Sequence, residues 1–194
     1  MKQNGRNVKD EIADAFVTEF NRNGPKLTLD GVTAIIHISK KTIYKYFQSK
    51  QDIYRYILGK TTAYVEEKQR EIRDNPDLPL REKIEKIITI TTPYEMQLDV
   101  ARIPELKEAE PEVFAEIDAA FHVQWEAVRD VLEEAISKGV VRTSCTPNFI
   151  ITVLYASMTD FLREPFLRSE SLSYTEAVHR LADLVLNGIF AQGN

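Results

Sequence analysis

The sequence predicts an all-α protein, built from a small N-terminal helix-turn-helix unit followed by a larger helical domain. Three observations carry that expectation. Apolar residues recur at helical spacing nearly everywhere in the 194 residues. Capping residues and Gly/Pro breakers sit where such helices would begin and end. No segment combines period-two alternation with strand-type turns, and no fixed-period repeat occurs.

Taken in order, Val8, Ile12, Phe16 and Phe20 recur every fourth residue and form one apolar stripe, ended by Asn23-Gly24-Pro25. A second short helix starts after Thr28, a suitable N-cap, with Leu29, Val32 and Ile36 facing inward. Ser39 caps a third, anchored by Ile43 and Phe47, and Ser49 caps a fourth. Asp52, three residues on, completes a version of the capping box. This fourth helix runs over 49–74 and stops at Asn75-Pro76-Asp77-Leu78-Pro79. Beyond it the pattern predicts a helix over 80–92, a stretch from Pro93 to Val100, and a loop bracketed by Pro104 and Pro111. A long helix over 112–138 ends at Gly139, and helices over 148–166 and 174–190 close the chain. The expected division is residues 1–48 and residues 49–194, with the helix over 49–74 connecting the two.

Composition narrows the class. The chain is 43% hydrophobic and 28% charged with 7 Gly and 8 Pro, which excludes a disordered or collagen-like chain. A single cysteine makes neither an internal disulfide nor a cysteine zinc site, and a reducing, cytoplasmic setting is expected. The longest unbroken apolar run, Val153 to Ala156, is far short of the about 20 residues a membrane span needs, so no membrane association is expected. The net charge of −5 disguises an asymmetry. Residues 1–50 carry nine Lys/Arg against five Asp/Glu, whereas residues 51–194 carry sixteen against twenty-five. Attraction to a polyanion depends on the local patch, so only the first fifty residues suit a nucleic acid.

Within those fifty, the third helix is the informative one. With Ile43 set at the core, 100° per residue puts Lys41 and Lys45 on the opposite face, Thr42 and Tyr44 on the flanks, and Tyr46 nearer the core. Cations and hydroxyls suit phosphate oxygens, and near the start of a helix they reach base edges in a major groove. The same periodicity also describes an ordinary solvated lysine face.

The wording separates the two. Residues 27–53, LTLDGVTAIIHISKKTIYKYFQSKQDI, closely resemble the DNA-binding signature of TetR-family transcriptional regulators. The match covers Thr28, Val32, Ile38-Ser39, Thr42-Ile43-Tyr44, Tyr46-Phe47 and Ser49-Lys50, and the preceding amphipathic helix extends it to about fifty residues. The resemblance implies phosphate contacts at Thr28, Thr42, Tyr44, Tyr46 and Lys50, and recognition-helix positions at Lys40, Lys41 and Lys45. Lys50 also has a physical case, being at a helix N-terminus that favours anions. Two residues depart from the family pattern: His37 stands where glycine is usual in the turn, and Thr33 where alanine is typical. Glycine is used in such a turn because a positive φ costs it nothing. His37 could also be read as a pH sensor.

The resemblance further implies a homodimer and a small-molecule pocket in the C-terminal helices. Residues 148–166 and 174–190 are apolar over more than one stripe, which calls for cover on two sides, either within one subunit or across a four-helix interface. Ala156, Phe161, Leu181, Leu184, Val185 and Ile189 are the expected interface residues. Tyr94, Met96, Phe114, Phe121, His122, Trp125, Tyr155 and Met158 offer large apolar walls with a few polar tips, suited to a ligand. Enzyme chemistry is not expected. The three histidines share no metal-binding spacing, Glu176-x-x-His179 is half of a di-iron motif without its second copy, and no phosphate-binding glycine loop occurs. No cofactor or metal is expected. The expectation is therefore a homodimeric regulator bound to a palindromic double-stranded DNA operator and released by a small molecule. Alternatives are control by a protein partner, no effector at all, or a helical enzyme or binding module.

Overall fold

The computed structural model describes residues 7–142, 144–162 and 166–189, without the side chains of Phe166, Arg168 and Ile189. The regular structure of the described residues is helical, with no extended strand. They form two compact units. The first joins residues up to Thr61 with Pro93–Ile117, and the second joins Thr62–Thr92 with the residues from Asp118 onward. The boundary expected at residue 48 thus falls inside the first unit.

In the first unit, α1 (Val8–Asn23) starts at Asn7, whose side chain accepts from Lys9 N, and ends at Gly24 with φ 58°. Its apolar stripe, Ile12, Phe16 and Phe20, is buried together with Ala13, Ala15 and Val17. Helix α2 (Leu29–Ile36) is capped by Thr28, as the hydroxyl spacing predicts. It lies very close to α1: a Cβ on Gly31 would come within 2.0 Å of Glu19 Oε1. A larger residue at 31 would require the Glu19 side chain to move. Helix α3 (Lys40–Ile43) is a single turn capped by Ser39, and α4 (Lys50–Asp74) begins with a complete capping box. Asp52 N donates to Ser49 Oγ at 3.1 Å, and the Asp52 carboxylate accepts from Ser49 N at 3.1 Å and from Gln48 N at 2.9 Å.

The core of this unit is Ile12, Phe16, Phe20, Leu27, Val32, Ile43, Phe47, Ile53 and Tyr54, completed by Leu106 and Val113 from much later in the chain. Each such side chain contributes roughly 1.5–3 kcal/mol on burial, so the late residues are integral to the unit. Val113 comes from the predicted long helix, whereas Leu106 arrives on a segment the sequence reads as a loop. It is a 3₁₀ stretch over Val100–Glu105 and a short helix α6 (Leu106–Ala109), reached after α5 (Leu80–Ile88). Pro111, read as a loop bracket, is instead the first residue of α7 (Pro111–Ser137), where its missing N–H costs nothing.

In the second unit, α5, the later part of α7, α8 (Pro147–Phe161) and α10 (Tyr174–Ile189) surround a core that includes Ile84, Trp125, Val128, Leu132, Ile150, Leu154, Leu181 and Leu186. A one-turn α9 (Phe166–Ser169) lies between α8 and α10 in the chain. Helix α5 is shorter than the predicted 80–92 because Thr89-Ile90-Thr91-Thr92 are all β-branched and Pro93 disfavours helix at Thr92. Helix α8 stops at Phe161, short of the expected 166, and α10 matches its expected span to within one residue, Phe190 lying outside the described residues. Gly139, with φ 72°, ends α7 in a Schellman motif: Val140 N donates to Ala135 O at 2.8 Å and Gly139 N to Ile136 O at 3.0 Å.

Candidate nucleic-acid interface

The turn between α2 and α3 positions the basic face. His37 sits at φ 55°, ψ 40°, in the left-handed region, which is the conformation glycine supplies without strain. Ser39 then caps α3, with Thr42 N donating to its Oγ at 3.1 Å and the two hydroxyls 3.0 Å apart. Backbone turns continue past the helix, with Tyr44 N bonded to Lys40 O, Tyr46 N to Ile43 O and Phe47 N to Ile43 O. Ile43 and Phe47, 1% and 4% exposed, fix this short element to the core.

What remains outward is chemically simple. Lys40, Lys41 and Lys45 are exposed, Thr42 is half-buried, and Tyr44 and Tyr46 are 53% and 39% exposed. Tyr46, expected nearer the core, therefore shares the outer face with Tyr44. Neither Lys41 nor Lys45 enters an ion pair among the described residues. Lys40 pairs with Asp30 at 2.8 Å, but both groups are well exposed and such pairs are weak. Thr28 is exposed at the head of α2, where its hydroxyl accepts from Gly31 N at 3.1 Å. Lys50 differs from the rest. Its ammonium turns inward to Glu110 Oε1 at 2.7 Å and the Pro25 carbonyl at 3.1 Å, a pairing that sequence spacing gives no means of seeing.

The residues expected to line a pocket fall into two groups. Tyr94, Met96 and Phe114 belong to the first unit, where Met96 is 78% exposed and Phe114 packs against the core. Burial, with the Asp14 and Asp10 carboxylates adding to it, pushes the Tyr94 phenol up to about 12. Phe121, His122, Trp125, Tyr155 and Met158 belong to the second unit and do come together. The Phe121 ring lies 6.1 Å from Trp125 and 5.6 Å from Tyr155, and His122 lies 4.6 Å from Tyr155. Tyr155 donates to Asp118 at 3.1 Å, and burial followed by that carboxylate raises its pKa. Trp125 is 7% exposed, and its indole N–H is buried without an acceptor among the described residues.

Of the expected interface residues, Ala156 is exposed and Leu184 is 74% exposed. Phe161 and Val185 pack partly against the second core, and Leu181, 8% exposed, is already part of it. The side chain of Ile189 lies outside the described residues. Phe149 on α8, 63% exposed, is a further outward apolar residue that the stripe analysis missed.

The fold has close counterparts. The crystal structure of PfmR from Thermus thermophilus, a TetR-family transcriptional regulator, superposes with a TM-score of 0.70 over 91% of this chain and 97% of that one, at 18% identity. This chain has the TetR-family fold. The fatty acid degradation regulator FadR from Bacillus halodurans matches the same TetR-type architecture with a TM-score of 0.71 over 97% and 98% of the two chains, at 16% identity. FadR from Bacillus subtilis in complex with stearoyl-CoA does so at 0.70 over 93% and 98%, at 17% identity. By sequence, the chain is 23% identical over 171 residues to the uncharacterised HTH-type transcriptional regulator YvaF of Bacillus subtilis strain 168, covering 88% of this chain and 89% of that protein. No family model matches. Among the described residues, no helix is long and apolar enough to cross a membrane.

Proposed function

We propose that this TetR-fold chain is a homodimeric DNA-binding transcriptional regulator, most simply a repressor, released from a palindromic operator by a small molecule. The observation carrying the reading is the outer face around α3. Lys41, Tyr44 and Lys45 stand outward, without ion-pair partners among the described residues, over a turn whose inner residues, Ile43 and Phe47, are locked in the core. That is a rigid, cationic, hydroxyl-bearing ridge on an otherwise acidic protein, the chemistry a DNA backbone and groove require. Thr28, Thr42 and Tyr46 supply further hydroxyls for phosphate oxygens, while Lys40 and Lys50 add charge once their carboxylate partners yield. In a dimer, two such ridges would read half-sites about 34 Å apart.

The outward Leu184, Ala156 and Phe149 support a dimer contact through α8 and α10, with Phe161 and Val185 at its margin. The aromatic group around Trp125 supports an effector with a large apolar body and one acceptor atom for the indole N–H. One structural neighbour was crystallised with stearoyl-CoA, and an acyl chain is one ligand of that general kind. Release then follows from the effector's differential affinity for two dimer geometries and can be no larger than that difference.

The test is selection of duplexes from a random pool at near-physiological salt. Enrichment of an inverted repeat supports the regulator, and its spacing reports the separation of the ridges. Only salt-sensitive binding without enrichment would refute it. Trp125 is the single tryptophan, so intrinsic fluorescence reports effector binding directly on the same protein.

A further inference from the structure

Lys50 opens α4, and a cation at a helix N-terminus is held against the helix dipole unless an anion compensates it. In this molecule the anion is internal. Glu110 stands immediately before α7, its side chain 12% exposed, with Oε1 at 2.7 Å from Lys50 Nζ and Oε2 accepting from Gln51 Nε2 at 2.7 Å. The Pro25 carbonyl takes a further Lys50 hydrogen at 3.1 Å. The carboxylate thus spans the first two residues of α4 and takes up a Lys50 donor that would otherwise face outward anions.

We propose that Glu110 is an intramolecular competitor for DNA phosphate at Lys50. The proposal rests on the DNA-binding reading above. Two anions within hydrogen-bond reach of one ammonium repel each other, so full engagement of Lys50 by DNA requires the carboxylate to withdraw. The segment bearing Glu110 is itself held to the helix-turn-helix unit. Asn21 donates to Gln97 O at 2.6 Å and accepts from Asp99 N at 2.7 Å. At Gly24 the same segment packs so closely that a Cβ would fall 2.6 Å from Glu105 Oε2. These contacts hold the carboxylate at Lys50 in the free protein, so its withdrawal or neutralisation frees the ammonium for DNA phosphate without altering α3.

A double-mutant cycle on the full chain tests this, using the duplex enriched from the random pool and a scrambled duplex of equal length. Glu110→Gln keeps the shape and one acceptor oxygen for Lys50 but removes the charge, and Gln51 can turn its own amide oxygen to the new NH2. The substitution should raise affinity about fivefold, near the upper end for a partly exposed ion pair. It should also steepen the salt slope by about one unit. In a Lys50→Met background the same substitution should have no effect, and Glu108→Gln, an exposed acid two residues away, should do little in either background. Glu110→Asp, which draws the charge back by one methylene, should give a smaller gain of the same sign. An unchanged affinity for Glu110→Gln overturns the proposal, as does an equal gain in the Lys50→Met background or with Glu108→Gln. Failure of the wild-type chain to enrich any duplex overturns both the proposal and the DNA-binding reading beneath it.

Discussion

His37 offers the sharpest test of the local argument. A left-handed conformation costs an L-residue about 1–2 kcal/mol, somewhat less for histidine than for most. At φ 55° and ψ 40° His37 bears that cost while its side chain is exposed. His37→Gly removes the strain but frees the unfolded chain, which returns about 0.4–1 kcal/mol. The net expectation is a gain of about 0.5–1 kcal/mol, or about 1–4 °C in Tm for a chain of this length. Urea unfolding followed by circular dichroism should show a higher midpoint with an unchanged slope. The decisive comparison is His37→Ala, which keeps the Cβ that causes the strain. Alanine should be less stable than glycine by about 1 kcal/mol. Equal stability of the two variants would mean that the turn is not strained by its side chain, and the explanation of the departure at position 37 would fail.

Lys41→Ala and Tyr44→Ala should each weaken duplex binding, and loss of the Lys41 phosphate contact should flatten the salt slope by about one unit in a salt titration. Leu184→Glu should leave the fold intact, since the side chain is 74% exposed, and shift sedimentation toward monomer. Tyr54→Phe removes a buried hydroxyl without a hydrogen-bond partner among the described residues, so it should stabilise the chain by about 1 kcal/mol at pH 8 in urea unfolding. Burial, with the Glu110 charge adding to it, holds the Tyr54 phenol far above its ordinary value near 10. The unfolded chain therefore ionises first as pH rises past 10 and stability falls from there, so the Phe variant should show a shallower alkaline decline.

Local signals were readable where the chain itself enforces them. Thr28, Ser39 and the Ser49–Asp52 box each satisfy helix N–H groups within four residues, so a hydroxyl and its spacing are enough to see them. The 3.6-residue stripe of α1 was readable for the same reason. What escaped depends on residues distant in sequence. Nothing in Lys50 announces a partner sixty residues later, and the Val100–Ala109 segment carries two prolines' worth of loop signal around it while Leu106 buries itself in the first core. The pocket list divides between the two units because aromatic content alone does not say which core a ring joins. Tyr94 and Phe121 are equally plausible wall residues by type, yet they belong to different units. Leu181 and Leu184, three residues apart on α10, were equally good interface candidates by hydropathy, but only Leu184 faces outward.

The late arrival of Leu106 and Val113 has a mechanical consequence for the helix-turn-helix unit. Its first sixty-one residues do not close their own core, so the platform beneath α3 is shared with the segment 93–117. That segment meets α4 at two places, Lys50–Gln51 against Glu110 and Arg55 against Glu116, the latter through a guanidinium holding both carboxylate oxygens at 2.8–3.0 Å. Gln51 and Arg55 lie one helical turn apart on α4, since residues separated by three or four positions share a face. A rotation of either α4 or the head of α7 must therefore strain both together or break one. Because Arg55 and Glu116 are much more exposed than Lys50 and Glu110, their pair is the weaker restraint in salt. The inner pair is consequently the firmer of the two restraints between the segment 93–117 and α4.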